Sequence, residues 1–85
     1  MHVIDVMILK ILKSENATDV ISGLAIKDFP MEDMMLKYNS LYKRVKRLME
    51  AGYVDAGFRD GHADTYYITE SGLKLLMKNE RGELT

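Results

Sequence analysis

The stretch YNSLYKRVKRLMEAGYV, Tyr38 to Val54, decides how the rest of the chain reads. Leu41, Val45 and Leu48 stand at positions i, i+4 and i+7, the spacing that lines one face of a helix. Asn39 suits the N-cap, because its side-chain oxygen can accept a free N–H of the first turn. Gly52 suits the exit, because a helix most often ends on a residue with positive φ. These signals predict a helix over residues 39–51. With Leu41 at the origin of a helical wheel, Asn39, Lys43, Lys46 and Arg47 lie opposite, so one face is apolar and the other basic.

The charge pattern around this helix is uneven. The chain has 12 Lys and Arg against 13 Asp and Glu, a net charge of −1. Yet Lys37, Lys43, Arg44, Lys46 and Arg47 occur between Met34 and Met49 with no acid among them. Residues 36–59, which add Arg59, Glu50 and Asp55, carry +4, so the remainder carries −5. That segregation implies a local positive patch on a mildly acidic body.

Upstream, residues 3–14 read VIDVMILKILKS, a helix more apolar than a one-sided surface helix requires. Either it lies at the centre of the domain or part of it forms a homodimer surface. After the polar break Glu15 to Asp19, Val20 and Ile21 suggest a short strand ending at Gly23. Pro30 is the only proline, and a second helix is expected over residues 28–36 with Asp28 as cap, or from a start near Ile26. Glu32 and Asp33 then complement the positive end of the helix dipole. Downstream the period changes to that of strands, with a wing over residues 53–68: Tyr53 to Phe58 and Thr65 to Ile68, joined through Asp60-Gly61. Thr69 is placed to cap a last helix over residues 70–79, and Arg81 to Thr85 reads as a frayed end.

Composition excludes several functions. Eighty-five residues and 9.7 kDa make one domain, residues 1–85. The most apolar run, residues 1–13, is interrupted by Asp5 and Lys10 and falls short of the roughly 20 apolar residues that span a bilayer. No small-residue cleavage site follows it, so it does not read as a signal peptide. The absence of cysteine removes disulfides, thiolate metal sites and thiol nucleophiles. His2 and His62 are the only histidines and form no ligand spacing or triad with carboxylates. The expectation is a cytoplasmic, non-enzymatic protein without membrane contact, cofactor or metal.

The order helix, weak strand, helix, basic helix, hairpin, helix resembles the winged helix-turn-helix domain. Tyr38 to Val54 is similar to its recognition helix and the turn into the wing. TYYITESGLKLL, Thr65 to Leu76, is similar to the junction of wing and last helix in MarR-like and PadR-like regulators. The resemblance covers nearly the whole chain and is nearest to small bacterial and phage members. It implies an α+β fold, mainly helical, with a two- or three-stranded antiparallel wing. Ala25 departs from the pattern, since that place often carries a Ser or Thr cap.

The resemblance further implies that residues 39–51 enter the major groove of double-stranded DNA, with Asn39, Ser40, Tyr42, Lys43, Arg44 and Arg47 at matching positions and Lys37 and Lys46 beside them. Arg59 and His62 match wing positions that reach a phosphate or the minor groove, though Asp60 and Asp64 flank them. The expected function is that of a sequence-specific transcriptional regulator of repressor type, acting as a homodimer through its first and last helices. Control would come from abundance, a protein partner or a small crevice. The rival readings are a winged-helix protein-interaction module and a DNA-binding accessory of segregation or replication.

Overall fold

The elements follow one another as α1 (Val3–Ser14), β1 (Leu24–Ala25), a 3-10 turn (Ile26–Asp28), α2 (Met31–Met34), α3 (Tyr38–Glu50), β2 (Val54–Ala56), β3 (Thr65–Ile68) and α4 (Glu70–Glu80). The computed structural model describes residues 1–82, and the frayed end expected at residues 83–85 lies outside them. The N–H groups of Arg81 and Gly82 donate to Met77 O at 3.1 Å and Asn79 O at 3.0 Å and close α4. Among the described residues the fold is a small α+β domain of four α-helices and a three-stranded antiparallel sheet in the order β1-β3-β2.

α1 covers the range its apolar pattern predicts, and His2 Nδ1 caps it by accepting the Ile4 N–H at 3.1 Å. Ile8, Leu9 and Leu12 are wholly buried, and Ile4, Val6, Met7 and Ile11 pack partly buried against the core. α3, β3 and α4 all lie against this helix. Its apolar excess is therefore used mostly within one chain, with Val3 left 67% exposed. α3 contributes Leu41, Val45 and Leu48 to the same core, and β2, β3 and α4 add Val54, Ile68 and Leu76. Each buried aliphatic side chain of this kind stabilises by about 1.5–3 kcal/mol.

Val20 and Ile21 do not form a strand. The Asp19 carboxylate accepts the N–H groups of Ile21 at 3.0 Å and Ser22 at 2.9 Å, and the Ser22 hydroxyl at 2.9 Å, which closes a turn instead. Local side-chain bonding outcompetes the β-branched pair here. The Ser22 N–H, followed by its hydroxyl, holds the Asp19 carboxyl below its ordinary range. The strand comes later, where Leu24 and Ala25 pair with Tyr66 and Thr65.

The second helix is not continuous over residues 28–36 and Asp28 does not cap it. Pro30 disfavours helical backbone in the residue before it, and Phe29 is accordingly extended at φ −74°, ψ 148°. The 3-10 turn thus ends at Asp28, and α2 restarts as a single turn at Met31. Ala25 precedes the 3-10 turn without a side-chain cap. Met35, left-handed at φ 57° and 91% exposed, then turns the chain into α3. α3 starts one residue earlier than expected, with Lys37 at the N-cap, so Asn39 lies inside the first turn and caps nothing.

The first strand of the hairpin is shorter than the sequence suggests. β2 stops at Ala56, because the Phe58 N–H leaves the ladder for Val20 O at 2.8 Å. Asp60 and Ala63 exchange N–H···O bonds of 2.9 and 3.0 Å, so Gly61 and His62, not Asp60-Gly61, are the central pair. Gly61 at φ +63° supplies the positive φ that a type II′ turn needs at its first central position. α4 is capped as predicted: the Thr69 hydroxyl accepts the Gly72 N–H at 3.1 Å and donates to Gly52 O at 2.6 Å. No helix among the described residues is long and apolar enough to cross a membrane.

Leu48→Ala is expected to lower stability by about 2–5 kcal/mol in urea unfolding, through lost burial and the cavity left behind. Gly72→Ala is expected to lower it by about 1–3 kcal/mol although alanine is the better helix former, because a Cβ there overlaps the Tyr53 carbonyl. Exposed Ser71→Ala on the same helix should stay within about 0.5 kcal/mol. A Gly72→Ala protein as stable as the parent would contradict this packing.

Candidate nucleic-acid interface

The buried stripe of α3 fixes which of its side chains face outward. Lys37, Asn39, Ser40, Tyr42, Lys43 and Arg47 are exposed, and Lys46 is half-buried. Lys37, Lys43, Lys46 and Arg47 have no carboxylate within 4.0 Å among the described residues. The Lys46 ammonium stands 5.7 Å from the centre of the Tyr42 ring, so this tyrosine faces a cation as well as the flank of the core.

Arg44 behaves differently. It sits on the flank of the core stripe, one residue before Val45, and its guanidinium reaches Asp5 of α1 at 3.4 Å. Their side chains are only 25% and 22% exposed, so the ion pair braces α3 against α1 and takes Arg44 out of the basic face. Arg59 is also engaged. Its Nε lies 3.1 Å from the Asp64 carboxylate and its Nη2 donates to His62 O at 3.3 Å, which stiffens the hairpin turn. His62 is exposed beside it. The ten candidate positions thus divide into a set on and beside α3 without acidic partners, Arg44 held by Asp5, and two turn residues, Arg59 paired with Asp64 and His62 exposed.

A crevice of about 230 Å³ opens between α3 and the hairpin turn. Tyr38 and Tyr42 line it from α3, Ile26 and Lys27 from the 3-10 turn, and His62 and Asp64 from the hairpin. Tyr66 of β3 also lines it and is only 2% exposed. The Tyr66 hydroxyl bonds to no other described residue, yet no buried polar side-chain atom is left without a partner. That hydroxyl must therefore touch the open space of the crevice. Burial is the main cause that pushes the Tyr66 phenol above its ordinary value of 10.0, with Asp64, Tyr42 and Tyr38 adding to it.

Tyr38, Tyr66 and Lys27 are not among the sequence-predicted site residues. Tyr38 and Tyr42 are four apart, and on a helix that spacing alone puts them on one face. Nothing in the sequence pairs Tyr66 with them, because that requires the register of β3. No group of three or more His, Asp or Glu side chains that could hold a metal ion occurs among the described residues. No protein-family model matches the chain, and neither a curated protein nor a solved structure does.

Arg44→Ala is expected to cost about 1–3 kcal/mol of stability, since it leaves the half-buried Asp5 without its partner. Lys43→Ala and Arg47→Ala, on the exposed face, should each stay within about 0.5 kcal/mol. Chemical denaturation of the three variants separates the bracing arginine from the free cations. A second test uses pH. The fold favours the protonated Tyr66 phenol, so its contribution is full below pH 10.0 and is lost as pH rises through the higher folded value. Tyr66→Phe should flatten the alkaline fall in melting temperature; an unchanged fall would show that Tyr66 is not its source.

Proposed function

We propose that this chain is a winged-helix protein that binds double-stranded DNA sequence-specifically, with α3 in the major groove. The observation that carries the reading is the exposed face of α3, where Lys37, Lys43, Lys46 and Arg47 have no acidic partner among the described residues. Cations left unpaired on a surface are available to phosphates, and neutralising phosphates releases condensed counterions. A helix about 10–12 Å across fits a major groove about 12 Å wide. Arg47 has the fork that reads guanine O6 and N7, and Asn39 the amide that reads adenine. The hairpin turn, with Arg59 already paired to Asp64, supplies at most a backbone contact.

The simplest action of such a domain is that of a cytoplasmic repressor, which occupies an operator and blocks polymerase. One copy presents few phosphate contacts, so the reading includes a homodimer that sets two α3 helices about 34 Å apart on a palindromic site. The net charge of −5 on the rest of the chain supports an approach to DNA by the basic face of α3.

Selection from randomised duplexes followed by anisotropy titration at several salt concentrations tests this. A palindromic motif should be enriched, and log K should fall with log salt with a slope of about −4 for one copy and about −7 for two. Lys43→Ala and Arg47→Ala should each weaken binding and reduce the slope by about one per copy. Salt-independent binding, or duplex affinity untouched by both variants, would overturn the reading and direct attention to a protein partner.

A further inference from the structure

The crevice between α3 and the hairpin turn has the chemistry of a ligand site. Three tyrosines, Tyr38, Tyr42 and Tyr66, line one space of about 230 Å³. That is below the roughly 300–1,000 Å³ of pockets that bury drug-sized ligands, so the space suits an occupant of about one ring system. Tyr38 and Tyr42 are 51% and 37% exposed, so large aromatic side chains are held at the surface where a ring can reach them. At the other extreme Tyr66 is almost wholly buried, and its hydroxyl has no partner among the described residues and opens into the same space. The hydroxyl is thus a polar group on the crevice floor, open to the space and available to a ligand's hydrogen-bonding edge.

Charge narrows the ligand class. Lys27 lines the crevice and Lys46 stands over the ring of Tyr42, while the acid that lines it, Asp64, is already paired with Arg59 at 3.1 Å. Aromatic walls with uncompensated cations alongside suit a flat heterocycle carrying phosphate. A base inside a duplex shows only its edges to either groove, so a crevice lined by tyrosines takes a base that has left the stack.

We propose that this crevice is a subsite for one unstacked nucleobase, with Tyr38 and Tyr42 contacting the ring and the Tyr66 hydroxyl bonding a polar atom on its edge. The proposal rests on the nucleic-acid reading of α3 and adds single-stranded or locally opened DNA, or a free nucleotide, to what that surface binds. The shared chemistry is the base with its adjoining phosphate.

The test compares four probes on the intact protein: a thymidine strand of about 12 nucleotides, an abasic strand of equal length, a duplex, and free thymidine monophosphate. Anisotropy or competition gives affinities, and NMR follows the ring protons of Tyr38, Tyr42 and Tyr66. The thymidine strand should bind about tenfold tighter than the abasic strand, and the rings should shift with the first and not the second. Tyr42→Leu should abolish that preference. Tyr66→Phe should reduce strand affinity about threefold to tenfold while duplex affinity holds. Saturable ring shifts with the monophosphate at equal concentration would identify a free nucleotide as the source, and shifts only with the strand would identify the polymer. Equal affinity for thymidine and abasic strands, with the duplex still bound, overturns the subsite and leaves the duplex reading intact. A base-dependent strand complex with no duplex binding overturns the duplex reading and keeps the subsite. Failure of all four probes overturns both.

Discussion

β3 is hydrogen-bonded along both edges, to β1 and to β2, and three of its four residues are buried. β1, β2, α1 and α4 all lie against this strand. Its first residue, Thr65, donates its hydroxyl to Phe58 O and holds the return of the hairpin. Tyr66 places a phenol at the floor of the crevice. The N–H of Ile68 donates to Ala17 O at 2.8 Å, which fixes the end of α1 against the sheet. Thr69, the next residue, starts α4. A short strand placed in the middle of a sheet can do this because its backbone groups are satisfied on both sides, which leaves its side chains free to be buried.

The long elements were legible in the sequence because one physical signal dominates each. α3 follows from a strict apolar spacing, α1 from an apolar excess that only burial explains, and the start of α4 from one threonine. The short connections were not, because several weak preferences compete there. Val20 and Ile21 look like a strand until the Asp19 carboxylate captures the adjoining N–H groups. Asn39 looks like a cap, yet the chain becomes helical one residue earlier, with Lys37 in the extended cap conformation. Pro30 was visible, but its effect on Phe29 divides the second helix instead of starting it.

The candidate surface was legible in the same partial way. Residue type identifies a basic helix; only packing decides which of its cations remain available. Arg44 lies on the flank of the core stripe and meets Asp5 across a distance of 39 residues in sequence, a pairing no local pattern reveals. The crevice is still less accessible to sequence reasoning, because it joins α3, the 3-10 turn, the hairpin and β3, four segments that are brought together only by the fold.

Thr69 and Gly72 also bear on how this architecture is to be found in other chains. The threonine hydroxyl ties the start of α4 to the end of α3, and the glycine lets the Tyr53 carbonyl approach the helix backbone closer than any Cβ permits. Neither residue touches the basic face, so the pair is free of whatever selects the cations on α3. Charged surface positions can drift as binding targets change, whereas this steric demand persists as long as the two helices meet in this way. A threonine three residues ahead of a glycine at the head of a helix is thus a requirement of this junction itself, independent of every lysine and arginine on α3.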